Sequence, residues 1–137
     1  MENIILFENF NKEQEPIHTE IAIKTLHILM QFQIFHWQTM DINDHKAYDD
    51  FCNILKYKGD KLVEVISGIY GRIKLVDDLN IPLRNLKDLD PKGFIEQAID
   101  IYKVYKENAV ADDPEVVTII DEILGEFQQL KYLLSFE

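Results

Sequence analysis

Cysteine is almost missing: Cys52 stands alone, so no internal disulfide can form and stability has to come from packing, metal or assembly. On a helix such a residue reads as a small buried hydrophobe. Glycine and proline are scarce as well, five and four in 137 residues. No alternating pattern of strand length occurs, which argues against a β fold. No run approaches the roughly 18 uninterrupted apolar residues of a membrane span, and the opening MENIILFENFNKEQEP lacks the basic start and apolar core of a signal peptide. A cytoplasmic protein that does not enter a membrane is therefore expected. Basic residues are the minority, 14 Lys and Arg against 25 Asp and Glu, for a formal charge of −11. Binding nucleic acid depends largely on neutralising phosphates with Lys and Arg, so direct nucleic-acid binding is not expected. The same charge suits a protein that gathers cations, although solubility alone accounts for it too.

What is present is a nearly continuous recurrence of apolar residues at steps of three and four, the mark of an all-α chain. Its length fits one domain, residues 16–137, preceded by an N-terminal segment, residues 1–15. The first helix opens near Pro16, carries Ile17, Ile21, Thr25, Ile28, Phe32 and Phe35, and ends around Gln38. After a short polar turn from Met40 to Asn43, Asp44 is the expected N-cap of a second helix of about 30 residues. That helix runs to about Ile73, with Phe51, Leu55, Leu62, Ile66, Ile69 and Ile73 on one stripe. Between Pro82 and Pro91 a short helical turn is predicted, then a third helix over about Pro91 to Asn108. A fourth begins after Asp112, Asp113 and Pro114. Short first and last connections with one long middle connection predict a ferritin-like four-helix bundle with a short extra helix between helices two and three.

The histidines stand at 18, 27, 36 and 45. Nine residues of helix turn through about 180°, so His27 faces away from His36, and His18 lies about 27 Å down the axis. Those two read as a surface histidine near a helix start and a satisfied histidine inside the bundle. His36 ends the first helix, beside Trp37. His45 and Asp49, then Asp60 and Glu64, are i and i+4 pairs on the second helix. Eleven residues separate Asp49 from Asp60, only some 20° from three full turns, so all four share a face. The pairs are nevertheless about 16 Å apart along the axis, far beyond the roughly 2 Å bonds of one transition ion.

One chain cannot close such a site. Two copies packed antiparallel about a two-fold axis near Ile54 and Leu55 would bring His45 and Asp49 of one opposite Asp60 and Glu64 of the other, giving two sites per dimer. Imidazole and carboxylate ligands suit iron, manganese or zinc better than copper(I), calcium or magnesium. A solvated face with ion pairs to Lys46 and Lys61 would carry the same residues without metal.

These motifs resemble the Dps-type miniferritins, the ferritin-like DNA-protection-during-starvation proteins. The resemblance rests on His36-Trp37, on His45 with Asp49, and on Asp60-Lys-Leu-Val-Glu64 with its fifteen-residue interval from His45. It extends through IPLRNLKDL and through DDPEVVTIIDEILGEFQQLKYLLSF, and so covers about residues 17–136. It implies a dodecameric shell built from two-fold dimers that binds Fe(II), oxidises it with peroxide or oxygen, and stores ferric iron against oxidative stress. The implied metal and catalytic residues are His36, His45 and Asp49 from one subunit and Asp60 and Glu64 from its mate, with manganese or zinc as substitutes. Trp37 would intercept radicals or simply pack the bundle end. The His36 to His45 interval is nine residues against the family's usual twelve or so, which shortens the first connection and bears on where His36 sits. Val63 and Val65 replace a small residue and an arginine that flank the family's glutamate. Residues 1–15 hold four Glu and one Lys, unlike the Lys-rich tails of DNA-binding members. Asp112, Asp113 and Glu115 would line a cation entrance at a three-fold axis or complement the dipole of helix four. A shell-forming relative without ferroxidase activity is the alternative reading.

Overall fold

A computed structural model describes residues 16–136; the N-terminal segment expected at 1–15, with the absence of a leader read from it, lies outside the described residues. Four α-helices and one short turn of 3₁₀ helix follow in order: α1 Ile17–Gln38, α2 Ile42–Tyr70, the 3₁₀ turn Leu86–Asp88, α3 Pro91–Glu107 and α4 Pro114–Leu134. Among the described residues there is no strand, and no helix is long and apolar enough to cross a membrane.

The helix starts follow local chemistry. Proline occupies the first turn of both α3 and α4, where a missing N–H costs nothing, and Asp90 caps α3 by accepting from Lys92 and Gly93 N–H. The start of α2 differs from expectation. Asp41, not Asp44, is its N-cap, accepting from the Asp44 N–H at 2.9 Å, and Asp44 sits buried within the first turn. Its end differs too. Gly71 adopts φ +96°, a left-handed conformation that stops the helix at Tyr70, so Ile73 lies outside it. Ile69 and Ile73 are consequently exposed rather than part of the core stripe.

Around the bundle the order is α1, α2, α4, α3. The segment from Gly71 to Asn85 carries the chain back along α1, held by three rungs from polar residues of that helix. Thr19 Oγ1 accepts from Lys74 N–H at 3.1 Å. The Gln31 amide bonds Arg84 through both its carbonyl (2.9 Å) and its amino group (2.8 Å). The Gln38 side chain takes Leu86 N–H at 2.7 Å and donates to Asn85. The helices therefore run up, down, down, up. Covered by α2 on one side and by this strap on another, α1 buries Thr19, Gln31 and His27 as well as its apolar residues.

An aromatic cluster fills the bundle beneath the α1–α2 junction. Phe32 lies 4.9 Å from Phe51, 5.3 Å from Phe35 and 5.5 Å from Phe94 between ring centroids. His27 is buried against Phe94, in keeping with its reading as a histidine inside the bundle. His18, partly exposed, stacks on Tyr70 at 5.9 Å. At Gly59, α1 and α2 touch so closely that an added Cβ would lie 2.9 Å from the Thr25 methyl. That methyl cannot swing aside freely, because the Thr25 hydroxyl donates to Ile21 C=O and accepts from Tyr102 at 2.6 Å.

Two tyrosines in this part of the core tie stability to pH. Burial pushes the Tyr102 hydroxyl well above its usual range. Burial, then the bond to Glu20 and the charge of that carboxylate, do the same for Tyr105. The folded chain thus keeps protons that the unfolded chain releases near pH 10, so this stabilisation is intact below pH 10 and is lost as pH rises above it. Unfolding free energies from urea denaturation are expected to fall steeply from pH 10 upward, by about 1.4 kcal/mol per pH unit for each tyrosine. Tyr102→Phe should remove about one proton from that slope; an unchanged slope in this variant would refute the assignment.

Candidate metal centre

Two of the five candidate ligands, His36 and His45, come together where α1 meets α2, with a third, Asp49, 3.8 Å from His36. Only Thr39, Met40 and Asp41 separate these helices, a junction tied by Thr39 N–H to Phe35 C=O and by Asp41 N–H to Thr39 Oγ1. Such a tight return lays the last turn of α1 against the first turn of α2. His36 and His45 consequently stack, with ring centroids 4.1 Å apart and planes inclined by 26°. The shortened connection does not displace His36 from its neighbour.

Each ring also bonds the other's backbone. His36 Nδ1 lies 3.0 Å from His45 C=O, and His45 Nδ1 lies 3.0 Å from His36 C=O. A carbonyl oxygen only accepts, so both Nδ1 atoms carry the hydrogen. In the neutral rings Nε2 is then the atom with a free lone pair, the nitrogen a metal needs. The bond from His45 also satisfies one of the last carbonyls of α1, which have no partner within the helix. Sequence chemistry that looks like metal binding is thus built into the helix-end hydrogen bonding.

Asp49, one turn beyond His45, faces this pair: its Oδ1 lies 3.8 Å from His36 Nε2. That is too long for a hydrogen bond. Two donor atoms each roughly 2.1 Å from a shared ion sit about 3.0–3.5 Å apart, so a small rotation of Asp49 would bring it to that spacing. The His36 side chain is mostly buried and that of Asp49 half exposed, so one edge of the group opens to solvent.

Asp60 and Glu64 stand apart from these three. They are exposed, on the rim of a groove of about 280 Å³ between α1 and α2 that Leu26, Leu29 and Val63 help to line. By helical rise Asp60 is about 16 Å along α2 from Asp49. Among the described residues no three His, Cys, Asp or Glu side chains converge within one chain to hold an ion. His45, Asp49, Asp60 and Glu64 share the side of α2 that lies clear of the core. Leu55 is buried in the core, and Ile54 lines, together with Asn53, a groove between α2 and α4. At 100° per residue, of the residues between Asp49 and Asp60, Asn53 and Lys56 lie nearest the mean direction of those four residues.

Lys56 is the residue that sequence reasoning missed. Its Nζ donates to Asp60 Oδ2 at 3.1 Å, both side chains being more than 60% exposed. The lysines singled out instead, Lys46 and Lys61, make no ion pair with any described residue. The i, i+4 spacing of Lys56 and Asp60 was the available signal. Trp37 is 69% exposed and so does not pack the bundle end. Cys52 is buried, its thiol pushed up to about 12 by burial and then by the nearby Asp49 charge, which keeps it a neutral hydrophobe rather than a thiolate ligand. At the far end of the bundle Asp113 accepts a hydrogen bond from the Tyr70 hydroxyl, while Asp112 and Glu115 are exposed.

Comparison with known proteins gives two matches. The chain is similar to the uncharacterized 14.6 kDa protein of the mobD-ri intergenic region of Enterobacteria phage T4, with 30% identity over 96% of this chain and 98% of that protein. No solved structure matches. Residues 36–134, which include all five candidate ligands, match a family of unknown function, DUF5856. With most of its length inside that match, the chain belongs to the DUF5856 family.

Proposed function

We propose that this protein is a miniferritin that takes up Fe(II) at sites shared between two subunits, oxidises it and retains the ferric product within a shell of two-fold dimers, a dodecamer by the Dps-type resemblance. One observation carries the reading. His36 and His45 are stacked with both Nδ1 atoms fixed on carbonyls, which leaves both Nε2 lone pairs free, that of His36 3.8 Å from Asp49. The carboxylates that would complete the set, Asp60 and Glu64, lie on the same side of α2, reachable only from a second copy. The up, down, down, up wiring with one long crossover supports a ferritin-like bundle. The charge of −11 favours cation uptake over contact with nucleic acid.

In this reading iron is the substrate. Two Fe(II) each give up one electron, and one hydrogen peroxide takes that pair with two protons as its O–O bond breaks to give two waters. Imidazole and carboxylate ligands leave open positions for the oxidant, and Asp112 and Glu115 form part of a cation entrance. Manganese or zinc would occupy the same ligands without being stored. The exposed Lys56–Asp60 pair favours a second reading, a shell-forming protein without ferroxidase activity, because a lysine already neutralises one of the required carboxylates.

Anaerobic Fe(II) titration followed by peroxide, monitored by ferric absorbance, separates the two. Saturable oxidation is expected for the natural chain, and its loss in the Asp60→Ala, Glu64→Ala double variant. Oxidation at the same rate in that variant would sink the ferroxidase assignment.

A further inference from the structure

At the opposite end of the bundle from His36 and His45, α1 and α3 stand apart and leave an open cavity of about 560 Å³, lined by Ile17, Glu20, Lys24, Ile101, Val104 and Tyr105 among others. Exposed apolar side chains stand over a buried polar floor. At the mouth Ile17 is 42% and Val104 56% exposed, with exposed Asp100 and Asn108 beside them, whereas Glu20, Lys24 and Tyr105 on the floor are 4–6% exposed. Apolar groups left in water and an ion pair taken out of water are each unfavourable alone. An amphipathic ligand with its polar end inward offsets both, and the volume falls within the range of about 300–1,000 Å³ usual for small-molecule sites.

The floor chooses the head group. Lys24 Nζ lies 3.0 Å from Glu20 Oε2, and the Tyr105 hydroxyl donates to the same oxygen at 2.6 Å. The two charges cancel. A second anion would meet Glu20 and a second cation would meet Lys24, in surroundings where water screens poorly. A carboxylate has about four lone-pair positions across its two oxygens, and only two are taken by these contacts, so Glu20 has room to accept from a neutral donor. We propose that the α1–α3 cavity binds a small amphipathic molecule with an aliphatic body and an uncharged hydrogen-bond-donating head, a primary amide or an alcohol, seated against Glu20.

Octanamide, octanoate and octylamine share one tail and differ only in the head, so titrating each into the full chain tests the proposal. With methyl signals followed by NMR, octanamide is expected to shift Ile17, Ile101 and Val104 saturably and to leave Leu26, Leu29 and Val63 of the α1–α2 groove unmoved. Octanoate and octylamine should bind about tenfold more weakly, because burying either unpaired charge is costly. Val104→Glu places a carboxylate at the exposed mouth without touching the core, and should weaken octanamide about tenfold with an unchanged thermal melt. Non-saturating shifts, equal or tighter binding of octanoate or octylamine, or indifference to Val104→Glu would each overturn the proposal. The metal reading stands or falls separately, since none of its ligands lines this cavity.

Discussion

Two variants that are each inactive, His45→Ala and the Asp60→Ala, Glu64→Ala double, are expected to regain about a quarter of natural Fe(II) oxidation when they are unfolded, mixed in equal amounts and refolded together. The fraction follows from symmetry. Random pairing makes half of the dimers mixed, and in each mixed dimer one site combines both damaged halves while the other combines both intact halves. One working site in half of the dimers is a quarter of the total. His45 and Asp60 lie about 22 Å apart along α2 by helical rise, so no relaxation of a single subunit could produce this recovery. A site contained in one chain would give none, because every chain in the mixture lacks part of it. Activity already present in either variant alone would show that one half-site suffices, and the shared site would have to be abandoned.

The elements of the bundle were legible because their cause is local: apolar residues at three and four residue steps, and Pro91 and Pro114 at helix starts. Details decided by competition were not. Asp41 and Asp44 are both plausible caps, and only the bond from Asp44 N–H to the Asp41 carboxylate decides between them. Gly71 ends α2 while the apolar stripe continues past it to Ile73, so the stripe alone places the helix end too late. Thr19, Gln31 and Gln38 gave no sign of their role, since the backbone groups they bond lie 48 to 55 residues away. The burial of Thr19 and Gln31 is part of why α1 looks weakly amphipathic although it is among the best covered helices.

The candidate site divides in the same way. The shared face of His45, Asp49, Asp60 and Glu64 follows from helical angles alone. The stacking of His36 on His45 does not, because a nine-residue interval places two residues on opposite faces only while the helix is unbroken. Here it spans a reversal, and the tight junction brings both rings to one side. A connection three residues shorter than that of the resembling family thus leaves His36 beside His45, an outcome the interval by itself argued against.

Lys24→Met is expected to lower the unfolding free energy by about 3–5 kcal/mol, the usual cost of removing one partner from a buried ion pair. Methionine keeps most of the apolar stem and loses the terminal ammonium, which lies 5.0 Å from the Tyr105 ring centroid, so lost stem packing contributes little. What remains is the Glu20 carboxylate, nearly inaccessible to water and holding only the Tyr105 hydroxyl of its two present partners. Against a total stability of about 5–15 kcal/mol that loss is large. The remedy distinguishes charge from packing. Glu20→Gln in the Lys24→Met background removes the stranded charge while keeping an oxygen for Tyr105 to donate to, and should return most of the loss in urea denaturation at pH 7. If Lys24→Met costs under about 1 kcal/mol, the pair behaves like an exposed one, water reaches Glu20 through the α1–α3 cavity, and the cavity floor is wet. If the double variant is no more stable than the single, the role of Lys24 lies in packing its stem against Tyr105, and the ion pair itself contributes nothing.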